Sequence, residues 1–119
     1  IIIEGYVPEE SLSAYFGAAH AFLSPLRGTI QDWARCPSKL FMYLPFKKPV
    51  ITCPIGEAKE LFGADGAYYE PGNMEALISR ILEQLNEETP ASRVNPLAHT
   101  YEARAEQFLK WFGQTFGRK

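Results

Sequence analysis

Cysteine is scarce in this chain. Cys36 and Cys53 are the only two, with no second pair and no histidine at ligand spacing, so neither a zinc site nor a disulfide framework is indicated. Reduced, structural thiols are the simpler reading. An excess of basic charge is also missing: 12 Lys and Arg stand against 14 Asp and Glu, for a net charge of -2. That leaves no electrostatic footprint for duplex or single-stranded nucleic acid, and nucleic acid is not expected as a partner. No apolar run approaches the ~20 residues needed to span a bilayer. The N-terminus lacks a basic stretch followed by a cleavage site, and a cytoplasmic location follows by default. There is no initiating methionine, and Ile1-Ile2-Ile3 reads as a buried strand with nothing before it; we therefore take the N-terminus to be a cut. Internal repeats, low-complexity tracts and long linkers are absent too, which points to a single domain throughout.

What is present is the balance of an ordinary globular chain, with 46% hydrophobic and 22% charged residues, far from the signature of disorder. The 119 residues suffice for one compact domain, whereas an ordinary two-domain enzyme needs roughly twice as many or more. Along the chain, 1–4 is short, apolar and β-branched and ends at Gly5, as a strand buried on both faces would. Leu12, Tyr15, Phe16 and Ala19 then recur at helical spacing behind Pro8-Glu9-Glu10, residues suited to a first turn. Residues 21–24 predict a second strand ending at Pro25, and 26–35 follow neither period and read as a loop. A mostly apolar, largely buried helix is expected over 37–44, with Leu40, Phe41 and Leu44 on one side. A third strand follows over 49–53, a short helix over 56–62 and a fourth strand over 67–70. Asn73 is a good N-cap for a helix carrying Met74, Leu77, Ile78, Ile81, Leu82 and Leu85 as one stripe. A last helix from about Thr100 would turn Tyr101, Ala105, Phe108, Leu109 and Phe112 inward. Strands alternating with helices predict an α/β fold with a parallel sheet and right-handed crossovers.

Such sheets bind ligands at the carboxyl ends of their strands. The candidate site is therefore the rim formed by Gly5-Tyr6-Val7, the loop after Pro25, and the turns after Cys53 and Glu70. The helix start near Ser38 would aim unpaired N–H groups at the same rim.

Five segments carry a family resemblance. Gly5-Tyr6-Val7-Pro8, and Pro37-Ser38-Lys39-Leu40-Phe41-Met42-Tyr43-Leu44 running into Lys48-Pro49-Val50-Ile51, resemble signatures in the C-terminal domain of GT-B glycosyltransferases of the large retaining group. Gly56-Glu57-Ala58-Lys59-Glu60-Leu61, Tyr69-Glu70-Pro71-Gly72-Asn73 and Thr100-Tyr101-Glu102-Ala103-Arg104-Ala105 resemble its later motifs, in the same order. The resemblance implies that residues 1–119 are a partial C-terminal, Rossmann-like donor-binding domain, truncated at the N-terminus. It implies a retaining transferase of hexosyl type that takes sugar from a nucleotide diphosphate sugar, a substrate, so no cofactor is needed and no metal is expected. The acceptor would be a glycan, a lipid-linked carrier or a small molecule. An N-terminal acceptor-binding domain would be the partner, with peripheral membrane contact through that domain, and the 119 residues alone are not expected to be active.

Carried onto this sequence, Tyr6 and Val7 would lie beside the nucleobase, and Ser38 and Lys39 would face the diphosphate. A strand-ending turn, a helix cap and a solvated lysine are the simpler readings of the same residues. Met42 stands where the family usually has a glutamate for the ribose hydroxyls, and thioether sulfur accepts only weakly. Ala34 stands where many members have a second glutamate, with Asp32 two places away as a candidate catalytic substitute. Arg27, Arg35 and Asp32 on the long loop are candidates for contact with donor or acceptor, against the alternative of a solvated loop. His20 and His99 read as helix-end or packing residues. A second hypothesis is a non-catalytic GT-B-like binding module whose donor site has decayed, supported by Met42 and Ala34. A phosphoacceptor receiver domain would need acidic residues at strand ends, where Ser24 and Thr52 sit instead.

Overall fold

A computed structural model describes residues 1–86 and 92–117. Three short parallel strands, β1 (Phe22–Ser24), β2 (Val50–Thr52) and β3 (Ala67–Tyr68), pair in chain order. Phe22 lies beside Val50, and Ile51 beside Ala67. Between and around them run α1 (Glu9–Ala18), α2 (Ile30–Ala34), α3 (Ser38–Tyr43), α4 (Gly56–Phe62), α5 (Met74–Asn86) and α6 (Tyr101–Phe116), with single 3-10 turns at Leu44–Phe46, Gly63–Asp65 and Pro96–His99. Strands alternating with helices in one open parallel sheet make this the expected Rossmann-like α/β arrangement.

The sheet is covered on both faces, because every side chain of β2 is buried and parallel strands need partners above and below. One core joins Phe22 and Val50 to Leu40, Leu44, Ala58, Leu61 and Phe62, supplied by α3, α4 and the turn between α3 and β2. Phe16 of α1 completes it, meeting the rings of Phe22, Tyr43 and Phe46 edge-on at 5.5 Å, while Phe22 and Tyr43 stack at 4.1 Å. The opposite core holds Leu26, Ile51, Cys53, Ile55 and Tyr69 against Ala76, Leu77 and Ile81 of α5. The Asn73 cap read from the sequence is in place, its Oδ1 accepting from the Ala76 N–H at 2.9 Å, and the structure adds a second at Thr100, whose Oγ1 accepts from the Ala103 N–H at 3.2 Å.

Four expectations are corrected. Residues 1–4 are exposed and pair with no strand among the described residues, so their β-branched composition alone makes no strand; a strand exists only where a neighbour takes its hydrogen bonds. The stretch 26–35 is not wholly irregular, because α2 forms inside it behind a Thr29 cap. The helix over 37–44 is shorter and less buried than its apolar composition suggests: Leu40 is 0% exposed, but Met42 is 45% exposed. Pro45 turns its end into a 3-10 turn that closes on Lys47 at a left-handed φ of 53°. Finally, the apolar stripe of α6 faces no core; Tyr101, Phe108, Leu109 and Phe112 stay exposed, and the rings of Phe108, Trp111, Phe112 and Phe116 meet chiefly one another. Helical periodicity fixes which residues share a face, not whether anything covers it.

Candidate functional site

The carboxyl ends of β1, β2 and β3 are tied into one rim. The Tyr69 N–H donates to the Thr52 carbonyl at 3.0 Å, the Thr52 hydroxyl to the Ser24 carbonyl at 2.9 Å, and the Cys53 thiol to the Leu26 carbonyl at 3.5 Å. Among the described residues, a recess of about 390 Å³ opens at this rim, lined by the loop after β1 (Pro25, Leu26, Arg27) and by Tyr69, Gly72, Asn73, Met74 and Leu77. It is mostly apolar with a few polar groups, the usual make-up of a small-molecule site. Tyr69 is buried against the sheet; that burial, with the Cys53 thiol beside it, pushes its phenol up to about 12, so the hydroxyl stays protonated near neutrality and presents no charge to a ligand.

The loop after β1 owes its shape to one carboxylate. Asp32 Oδ2 accepts from the Arg27 N–H at 2.9 Å, the Thr29 N–H at 3.4 Å and the Thr29 hydroxyl at 3.1 Å, and Oδ1 pairs with Arg35 at 2.8 Å. The Thr29 hydroxyl in turn accepts from the Asp32 N–H at 3.3 Å, a reciprocal cap at the start of α2. The Arg27 N–H, then the Thr29 hydroxyl and N–H and the Arg35 charge, hold the Asp32 carboxyl below its usual range, against the opposing effect of burial. A carboxylate so engaged is a structural anion and not a free base.

The same loop leans on its neighbours through glycine. A Cβ on Gly56, at the start of α4, would stand 2.9 Å from the Trp33 carbonyl oxygen and 3.1 Å from that of Asp32. Only glycine lets α2 sit this close.

The residues singled out in the sequence divide accordingly. Arg27 lines the recess, and its guanidinium has no carboxylate partner among the described residues. Arg35 is occupied by Asp32. Tyr6 is 91% exposed and Val7 half-buried, in the irregular segment before α1. Ser38 is exposed at the first position of α3, Lys39 is half-buried, and Met42 is exposed. None of these five lines the recess, so the structure does not gather the α3 start and the Gly5 turn into it; Phe46 packs into the aromatic core and does not block it. Cys36 is exposed, and desolvation followed by the Glu57 carboxylate raises its thiol, the opposite of an activated nucleophile. His99 sits on Phe41 at 5.7 Å with Nδ1 3.1 Å from Arg104, a packing histidine as read.

Sequence reasoning named the turn after Glu70 as part of the rim but not Tyr69, Asn73 or Met74 individually. It also passed over the Thr29-x-x-Asp32 spacing, which is itself a capping signal. Among the described residues, no cluster of three His, Cys, Asp or Glu side chains is placed to hold a metal, and no helix is long and apolar enough to cross a membrane.

No curated protein and no solved structure matches the chain significantly. A family model does, that of the glycosyl transferases group 1, over residues 1–87. With the parallel sheet and its carboxyl-end recess, that match over most of its length places the chain in the group 1 glycosyl transferase family as a GT-B type domain.

Proposed function

We propose that this chain is the donor-binding part of a glycosyltransferase that holds a nucleotide diphosphate sugar along the carboxyl rim of β1, β2 and β3. The observation that carries the reading is the recess at the strand ends, with Arg27, which has no carboxylate partner among the described residues, in its lining. Sugar transfer builds negative charge on the departing diphosphate and positive charge on the sugar ring. A guanidinium at the rim stabilises the first, and a protonated Tyr69 adds no competing anion. Ser38 and Lys39 are proposed as further phosphate contacts, and Tyr6 and Val7 as contacts to the base once an acceptor-binding domain packs beside this one. The reaction in this reading is hexosyl transfer with retention, within glycan biosynthesis, to a glycan, lipid-linked or small acceptor. Positioning and electrostatics supply most of the catalysis, so no resident cofactor is invoked.

A non-catalytic binding module is the second reading, favoured by Met42 and Ala34 where the family usually carries glutamates and by the full engagement of Asp32. Calorimetric titration of the full-length protein with UDP, GDP and ADP tests both. Binding of at least one is expected. Heat from none of them would remove the donor site, and binding with no release of sugar from any donor would favour the second reading.

A further inference from the structure

We infer that Asp32 is a positioning residue for the donor site: its carboxylate folds the loop after β1 so that Arg27 stands fixed at the recess, and it acts through Arg27 without touching the reacting atoms. This rests on the donor-site reading above and goes beyond it by assigning the residue that builds the site's cation.

Asp32 works as an anchor. The Asp32 side chain is 9% exposed, and a carboxylate so covered persists as an anion only if its oxygens are satisfied. One oxygen collects Arg27 and Thr29 from before α2, and the other collects Arg35 from after it. Both flanks of the loop are thereby tied to one point. That point is registered against the rest of the rim: α2 lies on Gly56 of the turn after β2, and Gly28 lies on Pro71 of the turn after β3, where an added Cβ would come within 3.2 Å of the proline ring.

Arg27 falls between these anchors. The Leu26 carbonyl on one side accepts from Cys53, its own N–H is held by Asp32, and Gly28 follows at a φ of 75° against Pro71. Its backbone is fixed while its side chain lines the recess with no carboxylate partner among the described residues. Asp32 cancels the charge of Arg35 and leaves that of Arg27 without a carboxylate partner among the described residues, so the loop presents a cation to the recess from an anchored backbone. Fixing the backbone that carries a binding group removes the part of the ordering entropy that the loop itself would otherwise lose on binding.

The test titrates UDP, GDP and ADP into the full-length wild type and the Arg27→Gln, Asp32→Asn and double variants, at two salt concentrations. Arg27→Gln is expected to weaken the best-bound nucleotide on the order of tenfold, as loss of a charge-assisted contact does. Asp32→Asn should weaken it comparably and flatten the salt dependence to the same degree. The double variant should bind no worse than Arg27→Gln alone, because both changes remove one interaction. Thr29→Ala should lose part of the same affinity, and Thr29→Ser, which restores the hydroxyl, should recover it. Wild-type affinity in Asp32→Asn, or losses that multiply in the double variant, overturns the inference while leaving the donor site standing. Wild type that binds none of the three nucleotides removes the donor site and the inference with it. Should Asp32→Asn fail to fold by circular dichroism, equal affinity of Thr29→Ala and Thr29→Ser overturns it.

Discussion

Replacing Gly56 with alanine tests whether the loop after β1 is held against the sheet as described. Two separate costs arise. Gly56 has a φ of 51°, and a side chain in the left-handed region costs about 1–2 kcal/mol. The new Cβ must also find room 2.9 Å from the Trp33 oxygen and 3.1 Å from the Asp32 oxygen. Both are backbone atoms that cannot rotate aside, and overpacking of this kind costs roughly 1–3 kcal/mol. Gly72 supplies the control. It occupies the third position of the Glu70–Asn73 turn at a φ of 81°, with nothing within 4 Å of an added Cβ, so Gly72→Ala carries the conformational cost alone. Urea unfolding of the two variants should then separate them, with Gly56→Ala less stable than Gly72→Ala by about 2 kcal/mol. In thermal melts each kcal/mol is worth about 4 °C for a chain of this size. Equal destabilisation would mean that α2 does not rest on Gly56, and the account of a registered loop would fail.

Leu40→Ala, at a fully buried position between α3 and the sheet, should cost about 3 kcal/mol in denaturant unfolding; a loss below about 1 kcal/mol would show that α3 is not part of the core. Asp32 is depressed in the folded chain by Arg27, Thr29 and Arg35, so its contribution is complete above the unfolded carboxyl value of about 3.9 and is lost as pH falls through the lower folded value. Urea midpoints measured from neutral to acid pH should therefore fall less steeply below about pH 4 in Asp32→Asn than in wild type, and parallel profiles would refute the assignment. On α6, Phe112→Ser should change folding stability by less than about 0.5 kcal/mol, because the side chain is exposed, lies in neither core, and the rings it meets are on its own helix. A large loss there would reveal a packed face.

The fold was legible wherever local chemistry and long-range packing agreed. Val50-Ile51-Thr52 is β-branched throughout and sits in the strand with two neighbours among the described residues, Asn73 caps the helix it was expected to cap, and the last helix starts at Thr100 as expected. Reading failed where the outcome depends on a partner. Ile1-Ile2-Ile3 and the stripe of α6 have the right composition for burial, yet composition does not supply the surface against which burial occurs. The site was half legible for a related reason. The strand-end rule found the turns that form the recess, and Arg27 stands there. The role of Asp32 was hidden because it depends on the path of the backbone: the amide it holds lies five residues upstream, a distance with no periodic signature. Gly56 read as part of a motif, but its reason, the carbonyls of Asp32 and Trp33, exists only in three dimensions.

The two strand pairings close chain segments of unequal length. Ser24 and Thr52 meet across 28 residues, while Ile51 reaches Ala67 over a much shorter stretch. The entropy lost in closing a chain grows only with the logarithm of its length, so the longer span costs on the order of 0.5 kcal/mol more than the shorter one. Lengthening either connection by a few residues is therefore expected to cost only a few tenths of a kcal/mol in closure entropy.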